Sequence, residues 1–140
     1  MTTLTVSFPG GQRVDAVCEG FVVSTDQPLD KGGDGTAPSP FDVFLASIAT
    51  CAGFYVKRYC DTRGISISGL ALEMHVDRNP ATHRVQELGL EIRVPEGFPE
   101  KHREGVLRAA QLCAVKKQIE HPPAFSVRVV SFFDSHAVVA

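Results

Sequence analysis

The chain has 140 residues, a net charge of -2 and an isoelectric point near 6.2, which offers a polyanionic partner little to bind and sets nucleic acid aside. Hydrophobic residues make up 44% and charged residues 21% of it, an ordinary balance for a soluble globular protein, and no stretch approaches the roughly 18 continuous apolar residues of a membrane span. The length fits one domain, residues 1–140, with a core large enough to fold without staples.

The opening MTTLTVSFPGG lacks a basic start, an apolar run and a small-residue cleavage site, so a cytoplasmic location is expected. LTVSF, RVDAVCEG and FVVST, broken at Pro9-Gly10-Gly11 and at Gly20, read as a three-stranded meander. Cys18, in the second strand, reads as a small apolar residue packed in a sheet. Residues 27–38, with KGGDGTAPSP, form a loop. Its GGDG has neither the basic residue nor the strand context of a phosphate-binding loop, so nucleotide binding is not supported.

Ser39-Pro40-Phe41-Asp42 is a strong helix start, with Ser39 as N-cap, Pro40 at the first helical position and Asp42 placed to close a capping box. Phe41, Phe44, Leu45, Ile48, Ala52, Tyr55, Val56 and Tyr59 recur at helical spacing, and Arg63-Gly64 supplies the stop, so the helix is placed at residues 39–63. Its first half carries so few polar residues that it is expected to be buried all round. That exceeds what one small sheet can cover, and a second copy of the chain is the simplest source of the missing cover.

ISISGLALEMHV and RVQELGLEIRV, separated by DRNPATH, read as an antiparallel hairpin. A helix from Glu100 to Leu112 follows, with a further turn or two through Cys113 to Ile119, stopped at His121-Pro122-Pro123, and AFSVRVVSFF reads as a last strand. Hairpins in place of alternating strands and helices make the fold class α+β.

Four cysteines, Cys18, Cys51, Cys60 and Cys113, are too few and too spread for a disulfide framework, and a reducing compartment would keep them as thiols. Cys51 lies off the main apolar stripe beside Gly53, where it reads either as a small core residue or as an approachable thiol. Cys113 sits where a helix opens or breaks, with Lys116 and Lys117 one turn on, and nearby cations favour thiolate. Cys60 falls on the opposite side of the long helix from Cys51. None of the five histidines stands with a cysteine at the short spacings of a zinc site, so neither a metal nor another cofactor is expected.

APSPFDVFLASIATCAGFYVKRY resembles the helix that carries the first cysteine of the OsmC/Ohr family, and LCAVKKQIE resembles the segment that carries the second. The likeness spans nearly the whole chain, including the element order and the Gly10-Gly11 hairpin. It implies an OsmC-like fold, antiparallel sheets wrapped around long central helices in an intertwined homodimer with sites at the interface. It also implies cysteine-based reduction of organic hydroperoxides or hydrogen peroxide: Cys51 attacks the peroxide, becomes a sulfenic acid and forms a disulfide with Cys113, which an external dithiol reduces. The peroxidases of the family place a glutamate shortly before the first cysteine and pair it with an arginine. Here Phe41 stands at the matching place, Asp42 is the nearest acid, and Arg13 is the N-terminal candidate for the arginine. Two other readings stay open: a small apolar ligand held without turnover in a pocket lined by Phe41, Phe44, Phe54 and Tyr55, and a thiol protein whose disulfide alters loop 27–38.

Overall fold

The computed structural model describes residues 2–130 and 138–139. Strands β1 (Leu4–Gly10), β2 (Arg13–Cys18) and β3 (Phe21–Thr25) form the expected antiparallel meander, with Val6 opposite Ala16, and Val17 opposite Val22. Loop 27–38 that follows is closed on itself. Buried Asp26 takes hydrogen bonds from the Thr36 N–H (3.0 Å), the Thr36 hydroxyl (2.8 Å) and the Gln27 N–H (2.7 Å), and these hold its carboxyl below the usual carboxylate range. The Gly35 N–H closes on the Gln27 carbonyl at 3.1 Å, and a Cβ at Gly33 would stand 1.9 Å from that same oxygen.

Helix α1 (Pro40–Asp61) starts as the sequence predicts. The Asp42 N–H donates to Ser39 Oγ (3.2 Å), while the Ser39 N–H and hydroxyl donate to the Asp42 carboxylate at 3.1 and 2.6 Å. The helix ends two residues earlier than expected, at Asp61, with Gly64 at φ 64 reversing the chain. Leu45, Ile48, Ala52, Val56 and Cys60 are buried, a stripe at steps of three and four residues. Burial of the first half all round is not found among the described residues: Phe41 and Phe44 remain exposed, as does Phe54 further on, because α2, α3 and β4 pack on one flank of the helix.

The hairpin is β4 (Ala71–Arg78) with β5 (Val85–Arg93). Its period of two sends Leu72, Met74 and Val76, paired with Ile92, Leu90 and Leu88, to one face and Glu73, His75 and Asp77 to the other. Residues 65–70, read from sequence as strand, instead form a turn. Gly69 at φ 75 and the bond from the Leu70 N–H to the Ile67 carbonyl (3.0 Å) break the extended run. At the hairpin tip the Asn79 side chain accepts from the Ala81 and Thr82 N–H groups, both at 2.9 Å.

The helix expected from Glu100 to Leu112 is a 3-10 turn at Glu100–His102 followed by α2 (Arg103–Ala110), and the further turns expected through Cys113 are α3 (Ala114–Glu120). Cys113, at ψ 116, is the break, and its sulfur accepts the Lys116 N–H in the manner of an N-cap. Of the last predicted strand only β6 (Arg128–Val129) appears, paired antiparallel with β7 (Val138–Val139); residues 131–133 lie outside the described residues.

The core gathers Ala52, Val56 and Cys60 of α1, Phe98, Val106 and Ala110 around α2, and Cys113. Gly105 lets α2 pass over Tyr59: an added Cβ would lie 1.9 Å from the Tyr59 hydroxyl, which His102 Nδ1 holds at 3.0 Å. Gly105→Ala is therefore expected to destabilise the chain by about 1–3 kcal/mol as α2 is pushed off α1. An unchanged melting temperature would refute this account of the packing.

Candidate active site

Two thiols meet where α1 passes the break between α2 and α3. Cys51 is partly buried on the edge of the core cluster, and Cys113 is 1% exposed within it. The Cys113 thiol donates to the Ile48 carbonyl, 3.6 Å away and one helical turn before Cys51, and its sulfur receives the Lys116 N–H at 3.4 Å. All four cysteines are free thiols.

The environments of the pair pull their ionisation apart. The Val115 N–H lowers the pKa of Cys51, with the Cys113 thiol and the Ala114 N–H acting in the same sense against partial burial. Burial raises the pKa of Cys113, and the neighbouring Cys51 raises it further. Cys60, enclosed in the core, is also pushed up, by burial and by Asp61. The groups acting on the two thiols are backbone amides rather than lysine ammonium groups; Lys116 instead pairs with Glu120 at 3.5 Å. The arrangement can hold one thiolate against one protonated thiol, the condition for thiolate attack followed by disulfide closure.

A lowered pKa means deprotonation at lower pH. Cys51 is thus expected to be alkylated by iodoacetamide with a midpoint below the free-cysteine value of about 8.5, and Cys113 and Cys60 only above it. Peptide mass spectrometry across pH checks the order, and equal rates at the three sites would contradict it.

The other residues singled out in the sequence fall elsewhere. Asp42 has its carboxylate on Ser39 and lies nine positions before Cys51, about 13.5 Å along the helix axis at 1.5 Å per residue, so within the chain it caps α1 and does not serve the thiol. The Ser39 hydroxyl and N–H, with help from Arg78 and Lys31, lower its pKa. Arg13 pairs with Asp15 at 3.5 Å, and neither acts on Cys51; Arg13 Nε and Asp15 Oδ1 are buried without a partner among the described residues. The four aromatic residues form two separate pairs, Phe41 with Phe44 and Phe54 with Tyr55, each at 5.5 Å between centroids. They do not close a common pocket within one chain.

Phe41 instead lies under the Arg78 guanidinium, 5.0 Å from the ring centroid, at the edge of a cavity of about 860 Å³ that Lys31, Asp42 and His83 also line. Arg78 and the Ala114 and Val115 amides escaped the reading of the sequence. No local pattern marks Arg78, but the amides follow directly from the chain reversal at Cys113. Among the described residues, Glu73, His75 and Glu91 place ligand-type atoms within 4.8 Å of one another. They are solvent-facing, hold no cysteine, and Arg93 bridges both carboxylates at 2.7 and 3.5 Å.

Among the described residues no helix is long and apolar enough to cross a membrane. Residues 33–128 match the protein family described as OsmC-like protein. No curated protein matches the chain significantly in sequence. Among solved structures, a candidate osmotic stress induced and detoxification response protein from Psychrobacter arcticus 273-4 is 29% identical at a TM-score of 0.72, over 87% of this chain and 90% of that one. An OsmC-like protein from Mycoplasma pneumoniae is 14% identical at a TM-score of 0.68, over 87% and 89% of the two chains. An organic hydroperoxide resistance protein OsmC from Legionella pneumophila is 19% identical at a TM-score of 0.57, over 85% and 88%. The last two likenesses bear on the fold alone.

Proposed function

The chain belongs to the OsmC-like protein family, and from that premise we propose that it is a thiol peroxidase in which Cys51 reduces a hydroperoxide and Cys113 resolves the product. The observation that carries the proposal is the opposed ionisation of two thiols in mutual contact, with Cys51 lowered and partly accessible and Cys113 raised and buried. The Cys51 thiolate attacks the distal peroxide oxygen, the O–O bond breaks, and the departing alkoxide leaves as an alcohol after taking up a proton. The Cys51 sulfenic acid then meets the Cys113 sulfur, an S–S bond forms, and the sulfenic oxygen leaves as water. An external dithiol returns both thiols and is itself oxidised to a disulfide, so one hydroperoxide and one dithiol give one alcohol, one water and one oxidised reductant.

The apolar flank bearing Phe44 and Phe54 favours an alkyl hydroperoxide over hydrogen peroxide, because burying an alkyl chain against it removes apolar surface from water. We place the site at the interface of a cytoplasmic homodimer. There Arg13, whose Nε has no partner among the described residues, is the cation proposed to reach the site of the second subunit. The test is single-turnover oxidation of the reduced protein by an alkyl hydroperoxide and by hydrogen peroxide. Rapid loss of two thiols to a Cys51–Cys113 disulfide is the expected result. Oxidation no faster than that of a free small-molecule thiol would sink the proposal and favour a ligand bound without turnover, a reading supported by Phe41 lying under Arg78 where the family's peroxidases carry glutamate.

A further inference from the structure

At the C-terminal end of α1, a cleft of about 540 Å³ opens between the helix terminus, the turn before β4 and the segment leading into α2. Two cations line it, Arg63 and Lys101, and neither has a carboxylate partner among the described residues. His102 and the hydroxyl-bearing Ser66 and Ser68 line it as well, against a single carboxylate, Glu96. Arg63 is held in place. Gly64 reverses the chain so that the Arg63 guanidinium folds back 3.8 Å over the Tyr59 ring, and its Nη1 donates to the Tyr59 carbonyl (3.3 Å) and Thr62 Oγ1 (3.1 Å). Tyr59 is fixed in turn by His102 Nδ1 at 3.0 Å, in the space that Gly105 leaves. No hydrogen bond occupies the remaining guanidinium N–H groups among the described residues.

We propose that this cleft binds a small organic phosphate monoester. A planar guanidinium fixed by stacking, an ammonium on the facing segment and two hydroxyls offer the donors that a phosphate's oxygens require, and a stacked Arg loses little freedom on binding. The volume lies within the usual range of ligand sites, roughly 300–1,000 Å³, so there is room for more than the phosphoryl group. Pro95, Pro99 and buried Phe98 supply an apolar wall for the organic part. The site is separate from the thiol chemistry: Tyr59 is eight positions beyond Cys51, about 12 Å along the axis.

Phenyl phosphate, inorganic phosphate and benzoate titrated into the reduced protein, followed by backbone amide NMR, test it. Saturable shifts at Ser66, Ser68, Gly97 and Lys101 with phenyl phosphate are expected, with both other probes weaker. R63Q and K101Q should each weaken binding at least about tenfold. R63K should recover only part of that loss, since an ammonium cannot reproduce the fork. The melting temperature and the Cys51 alkylation rate serve as folding controls, and K101Q alters only an exposed side chain. Shifts that stay linear, shifts centred elsewhere, or equal affinity in K101Q would overturn the site. Benzoate or inorganic phosphate binding as tightly as phenyl phosphate would overturn the ligand class.

Discussion

Cys51→Ser is expected to lower the second-order rate of hydroperoxide reduction at least about a hundredfold, some 2.7 kcal/mol of barrier at 1.36 kcal/mol per decade. A hydroxyl in place of the sulfur stays protonated at neutral pH and is a poor nucleophile toward a peroxide oxygen, whatever the surrounding amides do. Cys113→Ser should behave differently. The first turnover proceeds, a sulfenic acid persists on Cys51 and can be trapped by dimedone, and no disulfide forms. That variant should keep its fold, because Cys113 caps α3 through its side chain and serine is among the best capping residues. Mass spectrometry of the two variants separates the roles. A Cys51→Ser protein that consumes alkyl hydroperoxide at the parent rate would end the assignment, as would trapped sulfenic acid on Cys113 in place of Cys51.

The second large effect concerns assembly. The chain is expected to sediment as a dimer of about 30 kDa, twice its 15.1 kDa, at micromolar concentration. Among the described residues strands β1 to β3 pack chiefly on one another, and Phe21 and Val22, adjacent in β3 and so on opposite faces, are 77% and 61% exposed. A three-stranded sheet with apolar residues on both faces needs cover that one chain does not supply. Phe44 and Phe54, 39% and 57% exposed on the open flank of α1, call for the same. Phe54→Glu should weaken association at least about a hundredfold by placing a charge in the apolar contact, which analytical ultracentrifugation would read. The parent chain provides a check independent of any variant's folding: a stable 15.1 kDa monomer at that concentration would refute the dimer and with it the interfacial site.

Much of the fold is local and was legible. The capping box at Ser39 and Asp42 involves residues three apart, and the hydrophobic stripe of α1 and the alternation along β4 and β5 are written in neighbouring side chains. Misreadings arose where local preference met a tertiary demand. Residues 65–70 alternate like a strand, yet Gly69 turns the chain against Pro95. The helix break at Cys113 was legible, but not that it turns the sulfur onto the Ile48 carbonyl of α1.

By itself the sequence determined the α+β class, the position of the long helix and the two cysteines worth following, because each rests on interactions a few residues apart or on a motif read whole. Only the tertiary structure decided which groups act on those cysteines. The Val115 and Ala114 amides become thiolate donors only once α3 turns back onto α1, and Lys116, the apparent activator, is drawn to Glu120. Arg78 was brought from β4 onto Phe41. Likewise Arg63, Ser66 and Lys101 line one cleft because Gly64 reverses the chain at positive φ and Gly105 permits a close approach to Tyr59. Hydrogen bonds and ionisation depend on contacts of a few ångströms, and in this chain those contacts join residues tens of positions apart.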